Sequence, residues 1–346
     1  MKPQRHRAVL LLLTVSLLLA VPLAVGVGSV PIPVALTLKT LLARLGWADP
    51  GLLAQKEAAI ILMIRLPRVL AAMLVGASLA LAGAVMQGLF RNPLASPEIL
   101  GVSAGGSLGA VAAITSGLFA ANLYLLPLCT VTGAALSAGL IYRLSTYRGA
   151  TSLLFVVLAG MALSSFLNGL ISALLLFSRE YEISQFIFWT MGGLDGRRWE
   201  HLGLAAPLLL PGLALLCLFA KPLNLLLMGE ESAHALGLNL EWTKRAILGL
   251  AALVTGVAVS ISGTIGFVGL LVPHLMRLLV GSDHRILMPA SALGGALFLL
   301  LCDLAGRAIL PPLDIRVGII TSLVGSPYLL YLLFTAQRKK SHGAVL

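Results

Sequence analysis

The stretch RLPRVLAAMLVGASLALAGAVMQGLF, residues 65–90, places two arginines at the head of a long apolar run that carries no further charge. About 20 consecutive apolar residues cross the hydrocarbon core of a bilayer as an α-helix. The stretch therefore predicts a transmembrane helix with Arg65 and Arg68 at its mouth. Positive charges beside a span normally favour the cytoplasmic side, so the side on which these arginines lie decides what they can contact.

The composition extends this prediction to the whole chain. Of its 346 residues, 59% are hydrophobic and only 11% are charged, and the mean hydropathy is +1.00. Soluble domains are about 45–50% apolar and about 25% charged. The chain is therefore predicted to be an all-α polytopic membrane protein that forms a single transmembrane domain over residues 1–346.

Apolar runs separated by polar breaks predict ten transmembrane helices. They are expected near residues 8–30, 66–89, 99–118, 122–142, 151–177, 202–220, 245–262, 267–280, 286–306 and 315–336. The first run is longer than the roughly 7–15 apolar residues of a secretory signal, so it is interpreted as a retained span. Only SGTIG, residues 262–266, separates the seventh span from the eighth, and one bent helix there would reverse the side of every later segment.

With ten spans, both termini lie on the same side of the membrane. That side carries the larger share of the 24 basic residues, Lys2 among them, and few acids, one of which is Glu98. Because short cytoplasmic loops carry an excess of Lys and Arg, the termini are predicted to be cytoplasmic. Arg65, Arg68 and Arg307 then fall on the outer side. They either reach lipid headgroups or form a positive patch for an acidic partner.

The longest internal polar break, residues 221–244, contains GEESAHALG, residues 229–237. Two glycines bound an acidic, alanine-rich segment that is too short and too polar to span a bilayer. A short helix on the cytoplasmic face would suit docking of a partner protein, and an ordinary interfacial loop is the other interpretation.

Polar side chains inside the spans are few. Span five carries Ser164, Ser165 and Asn168 in an otherwise apolar run, and these either line a pathway or bond to a neighbouring helix. Asp303 is the one acid well inside a predicted span. Ion-coupled transporters usually carry such groups within the membrane. Because they are scarce here, an ion-coupled secondary transporter is the alternative rather than the first interpretation.

Several function classes lack their signatures in this sequence. No Walker motif is present, so ATP is not bound by a P-loop in this chain, and no paired carboxylates indicate a membrane-embedded enzyme. The three cysteines lie inside apolar runs without metal-ligand spacing. No metal or cofactor is therefore expected. The net charge of +11 is assigned to loops between spans, and nucleic-acid binding is not expected.

Four stretches appear in the order of a known family. They are RLPRVLAAMLVGASLALAGAVMQGLFRNPLASPEILGVSAGGSLGA, LNLLLMGEESAHALG, GTIGFVGLLVPHLMRLLVGSDHR and VGIITSLVGSPYLLYLL. Over residues 58–336 the chain closely resembles FecCD-family permeases, the membrane subunits of bacterial ABC importers for ferric siderophores, haem and cobalamin. The resemblance implies the type II importer permease fold of the cobalamin importer, with ten spans in an inner-membrane protein.

The resemblance also implies an assembly. A second permease subunit, identical or a paralogue, would complete the translocation path within the lipid bilayer. Two cytoplasmic ATPases would bind ATP and Mg²⁺, and a periplasmic binding protein would deliver the substrate. This chain would then have no ATPase site of its own.

Residue roles follow from the same resemblance. The segment at about 223–240 matches the coupling helix that seats in the ATPase cleft, and the role is carried over to Glu230, Glu231, Ser232, Ala233, His234, Leu236 and Gly237. Arg65, Arg68 and Arg307 match arginines that meet glutamates of the binding protein.

Two segments depart from the family pattern. Where the family often reads Glu-Leu-Pro-Val-Gly, this chain has Asp-Ile-Arg-Val-Gly, so that Arg316 extends the docking rim or contacts an anionic substrate. The segment STYRGATSLLF, residues 145–155, also differs. The cytoplasmic gate is assigned there to Thr151 and Ser152.

Overall fold

A computed structural model describes residues 3–28, 30, 32–44, 46–47 and 55–343. Lys2, which contributes to the predicted orientation, lies outside the described residues, as do the last three residues of the predicted domain. The described chain is a bundle of apolar α-helices, and the prediction of an all-α polytopic membrane protein is confirmed.

Each of the ten predicted apolar segments contains a helix. Within the described residues, seven helices are long and apolar enough to cross a membrane. They are α1 (Pro3–Gly26), α4 (Leu66–Leu89), α7 (Leu125–Leu144), α8 (Leu153–Leu176), α10 (Trp199–Leu218), α13 (Leu240–Ser262) and α15 (His284–Ala308). Three further apolar helices are shorter, namely α5 (Val102–Thr115), α14 (Val268–Val280) and the apolar part of α16 (Val317–Gly343).

Shorter elements connect these helices, and the sequence did not predict most of them. The helices are α2 (Val34–Arg44), α3 (Gln55–Ala59), α6 (Leu118–Ala121), α9 (Glu180–Thr190), α11 (Ala220–Leu226) and α12 (Glu230–Ala235). A π-helical turn, Ile60–Arg65, joins α3 to α4, and a 3₁₀ turn, Pro97–Leu100, precedes α5. Strands β1 (Thr146–Tyr147) and β2 (Ala150–Thr151) form an antiparallel hairpin between α7 and α8.

Side-chain caps begin three of the long helices. Ser152, Asn239 and Asp283 each accept a hydrogen bond from a backbone N–H in the first turn of α8, α13 and α15. The first N–H groups of a helix have no partner within it. These caps therefore fix where the helices begin.

The seventh and eighth predicted spans are separate helices. The chain leaves α13 at Gly263, with φ of +68°, and enters α14 after Phe267, whose φ is also +68°. A positive φ at both residues cannot continue a right-handed α-helix. The break that the sequence left open is therefore present.

Glycines bring the buried helices α4, α14 and α15 into backbone contact. A Cβ on Gly76 of α4 would overlap the carbonyl of Gly295 in α15, and a Cβ on Gly83 would overlap the carbonyl of Gly269 in α14. Small residues at helix crossings permit this approach in membrane proteins. The outer helix α8 differs, because most of its apolar side chains are exposed.

The segment between α4 and α5 turns back into the bundle. Pro97 lies against Gly269, which lies beside the carbonyl of Leu79 in α4. With a rise of 1.5 Å per residue, Leu79 is about 20 Å from Leu66 and about 15 Å from Leu89. The 3₁₀ turn therefore lies near mid-depth, and Glu98 is not in a loop at the end of the bundle.

We expect the substitution Gly83→Ala to destabilise the bundle, because the added methyl group cannot fit between α4 and α14. Forcing extra volume into a packed contact costs about 1–3 kcal/mol. The free energy of unfolding in mixed micelles measures the effect. Gly203→Ala is the matched control, because Gly203 is helical and has open space at its Cβ position. An unchanged Gly83→Ala protein would contradict the tight crossing.

Candidate functional site

A cluster of charged residues, here called the arginine cluster, joins α4 to α15 at one end of the bundle. The carboxylate of Asp303 is 1% exposed and lies 3.0 Å from guanidinium nitrogens of both Arg68 and Arg307. Arg68 also pairs with Asp314 at 2.6 Å. Two cations therefore share one buried anion, and the half-exposed Asp314 supplies a second.

Arg65 and Arg307 also bind the backbone at the C-terminal end of α1. Arg65 donates to the carbonyl oxygens of Val25 and Gly26 at 3.1 and 2.7 Å, and Arg307 donates to that of Ala24 at 2.8 Å. The last carbonyls of a helix have no partner within it. The two side chains therefore complete α1 and hold it against α4 and α15.

Two of the arginines predicted to dock a binding protein are buried. Arg65 and Arg307 are only 7% and 5% exposed, whereas a docking rim requires accessible guanidinium groups. Their hydrogen bonds point inward because the carbonyl oxygens of α1 need donors. A direct contact of either residue with a binding protein stays a prediction, and it would require these bonds to open.

Arg316, the residue that departs from the family pattern, lies near this cluster. Its guanidinium group pairs with Asp195 and lies 5.1 Å from the ring centroid of Phe188. Arg316 lies two residues after Asp314, so its pair is close to the arginine cluster along the chain.

The predicted coupling segment forms a short helix between two glycines. Gly229 and Gly237 both have positive φ, and α12 lies between them. Ala233 is fully buried and anchors the helix. The other predicted coupling residues present an accessible surface, half-buried at Glu230 and exposed at Glu231, Ser232, His234, Leu236 and Gly237.

The two predicted gate residues lie at the start of α8. Thr151 is the last residue of β2 and is 3% exposed, and Ser152 caps α8. Thr146 and Thr151 face each other in the hairpin with their hydroxyl oxygens 3.0 Å apart. The predicted gate therefore belongs to an ordered hairpin.

Lys244 joins the coupling helix to this hairpin. Its ammonium group is 2.9 Å from a carboxylate oxygen of Glu230 and donates to the carbonyl of Thr151 at 3.3 Å. Glu241 lies 3.5 Å from the same ammonium and accepts a hydrogen bond from the N–H of Thr151 at 2.8 Å. These four residues, here called the lysine cluster, unite the predicted coupling and gate segments.

Sequence reasoning missed Lys244 and Glu241 as site residues. Lys244 is 4% exposed, although it stands in the most polar break of the chain. The available signal was the spacing Glu241 to Lys244, which places opposite charges on one helix face. Nothing in the sequence indicated that the hairpin packs beside them.

The arginine and lysine clusters lie at opposite ends of the bundle. Lys244 is in the second turn of α13, and Ser262 ends that helix about 27 Å away. Ser262 lines the same cavity as Arg316, and Arg316 lies two residues from Asp314 of the arginine cluster. The two groups of predicted site residues are therefore separated by the length of α13.

The polar residues predicted in span five lie on α8. Ser165 and Asn168 are exposed and Ser164 is half-buried, beside the exposed apolar residues Met161 and Phe166. Ser172 donates to the backbone carbonyl of Asn168 at 3.0 Å. This face meets lipid or another subunit, so the choice between pathway and helix contact stays open.

Glu98 borders an open cavity of about 650 Å³ near mid-depth, here called the mid-depth cavity. Four hydroxyl-bearing residues share its lining, namely Thr190, Thr264, Ser322 and Ser326. Glu98 is exposed to this space and also borders a smaller cavity of about 110 Å³. Within the described residues, no group of three His, Cys, Asp or Glu side chains could hold a metal ion.

Known proteins match almost the whole chain. The sequence model of the FecCD transport family matches residues 13–335. The cobalamin import system permease protein BtuC of Halobacterium salinarum is 46% identical over 272 residues, covering 78% of this chain and 72% of that protein. The hemin transport system permease protein HmuU of Yersinia pestis is 41% identical over 289 residues, covering 81% of this chain and 84% of that protein.

A solved structure shares the fold. It is a metal-chelate type ABC transporter in an inward-facing conformation, and it matches with a TM-score of 0.81 and 32% identity. The match covers 95% of this chain and 99% of that chain. The structural similarity therefore extends over almost the full length of both chains.

We expect Asp303→Asn to destabilise the protein strongly, because Arg68 and Arg307 would lose their shared buried anion. Removing one partner of a buried ion pair costs about 3–5 kcal/mol. Unfolding in mixed micelles measures the loss. Glu200→Gln, which removes an exposed acid, should change stability by less than about 1 kcal/mol. Equal stability of the two variants would contradict the structural role of the arginine cluster.

Proposed function

The chain belongs to the FecCD transport family and is the permease of an ABC importer, and from this premise we propose that it carries a large metal chelate across the bacterial inner membrane. The cargo is a ferric siderophore, haem or cobalamin. The observation that supports this cargo class is the extended similarity to permeases named for cobalamin and hemin import.

The working assembly contains partner proteins. Two copies of this permease, or this chain and a paralogue, form the path, and two ATPases below them bind ATP and Mg²⁺. A periplasmic binding protein delivers the chelate. The permease itself makes and breaks no covalent bond and carries no ATPase site.

We place the lysine cluster and both termini in the cytoplasm, and the arginine cluster at the periplasmic face. The excess of basic residues on one side supports this orientation. Within it, α12 faces the ATPase, and Arg68 with Arg316 are the arginines of the predicted docking rim that retain partial exposure. The binding protein docks beside them.

The lysine cluster is proposed to carry movement from the ATPase to the gate. The ammonium group of Lys244 is buried, so losing Glu230 or the Thr151 carbonyl as a partner has a large free-energy cost that water cannot offset. A displacement of α12 therefore shifts Lys244 and, through it, the hairpin that carries Thr151 and Ser152. The mid-depth cavity is proposed as part of the path above this gate.

The proposed transport is tested by reconstituting the permease with its ATPases and binding protein in liposomes. We expect ATP-dependent uptake of one of the three chelate types and no uptake driven by an ion gradient alone. Uptake that follows a proton or sodium gradient without ATP would establish the alternative, an ion-coupled secondary transporter.

In the same liposomes, Lys244→Met should lower the number of chelates carried per ATP hydrolysed by about tenfold, because loss of a charge-assisted contact uncouples the gate. ATP hydrolysis itself should persist. Glu241→Gln, which preserves side-chain size, should show a smaller defect in the same direction.

Lys221→Met is the matched control, since Lys221 is exposed at the same end of the bundle. It should transport normally. Correctly folded Lys244→Met and Glu241→Gln proteins with unchanged transport per ATP would contradict the proposed link.

A further inference from the structure

A cavity of about 300 Å³ lies where α9, the loop after it and Arg316 meet, near the arginine cluster; it is called here the mouth cavity. Its lining includes Phe119, Gln185, Trp189, Arg197 and Arg316. Nothing in the coupling or gate arrangement uses these residues.

Three of the lining side chains each carry a buried polar atom without a hydrogen-bond partner. These atoms are Oε1 of Gln185, Nε1 of Trp189 and Nε of Arg197. Buried polar atoms almost always have partners in folded proteins, and Trp189 is only 8% exposed. Three lining side chains of one cavity therefore have bonding capacity that no protein group uses, and a ligand in the cavity can supply the missing bonds when these side chains turn toward it.

The chemistry of these atoms favours an anion. Trp189 Nε1 and Arg197 Nε are donors only, and the amide of Gln185 can present either its oxygen or its nitrogen. Of the charged lining residues, Asp195 is already paired with Arg316. The lining of the cavity therefore has one net positive charge, which is that of the Arg197 guanidinium group.

The walls favour a flat or apolar skeleton next to that anion. Phe119 and Phe188 line the cavity with Ile114 and Leu126. Burial lowers the pKa of Arg197, and the nearby Arg316 lowers it further while Asp195 raises it. A carboxylate bound in the cavity would pair with Arg197 and offset the cost of burying its charge.

We propose that the mouth cavity binds a carboxylate group carried on an aromatic or apolar skeleton, and that this carboxylate belongs to the transported chelate. Trp189 and Arg197 donate to its oxygens, and the phenylalanine rings contact its skeleton. The assignment to the chelate rests on the proposed transport function. Such a site favours cargo with peripheral carboxylates over cargo whose side chains are neutral amides.

The site itself is tested with 4-fluorobenzoate and its neutral analogue 4-fluorobenzamide, using ¹⁹F NMR on the full chain in lipid nanodiscs. We expect saturable binding of 4-fluorobenzoate and none of 4-fluorobenzamide. Arg197→Met should weaken 4-fluorobenzoate binding by about tenfold or more. Trp189→Phe, which keeps a ring and removes the donor, should weaken it less.

Arg198→Met is the matched control, because Arg198 is the exposed neighbour of Arg197, and it should bind 4-fluorobenzoate as the unaltered chain does. Equal binding of the two fluorinated probes, or full binding by a folded Arg197→Met protein, would overturn the site. Absence of binding to the unaltered chain would also overturn it.

The assignment to the cargo has a separate readout. In the liposome assay, the transported chelate is expected to carry carboxylates, as haem does, and Arg197→Met should raise its half-saturating concentration while Arg198→Met leaves it unchanged. An equal effect of the two substitutions, no effect of Arg197→Met, or uptake only of a chelate whose side chains are neutral amides would overturn the cargo assignment. A chain that binds 4-fluorobenzoate but transports no chelate would retain the site and contradict the transport function instead.

Discussion

A charge that is buried in a chain that is 59% hydrophobic needs hydrogen-bond partners inside the protein, because lipid offers none. The structure meets this constraint with two clusters. At one end, Asp303 is shared by Arg68 and Arg307, and at the other, Lys244 is shared by Glu230 and Glu241. Each cluster joins segments that are distant in the sequence.

The two clusters differ in what they hold. The arginine cluster binds helices to one another, since Arg65 and Arg307 complete the carbonyl groups of α1. The lysine cluster instead binds a long helix to two small elements, α12 and the hairpin. Small elements with exposed surfaces can move more easily than packed helices, which suits the cluster at the proposed ATPase face to transmission.

Hydropathy was sufficient to locate the ten apolar segments, because burial in lipid requires long apolar runs. It predicted a short eighth span at 267–280, close to α14, but could not show that α5 is short. Pro97, in the turn before α5, packs against Gly269 at mid-depth, and this is a tertiary contact. For the same reason, Glu98 was grouped with the cytoplasmic acids, whereas the structure places it beside a cavity within the bundle.

The site residues show a similar division. Gly229 and Gly237 made the bounds of α12 visible in the sequence. The i to i+4 spacing of Asp303 and Arg307 likewise indicated a pair on one helix face. The pairing of Arg68 with Asp303 and of Lys244 with Thr151 joins residues far apart in the chain. Such contacts follow from the packing of helices, so sequence spacing could not reveal them.

The most direct test of the account is the compartment that each end of the bundle faces. In a chain whose three cysteines are replaced by alanine, single cysteines are placed at Ser232 in α12 and at Leu313, which is 71% exposed beside Asp314. A membrane-impermeant maleimide added to spheroplasts should label the Leu313→Cys protein only, and in inverted vesicles the Ser232→Cys protein only. Labelling of both from the same side would contradict the account.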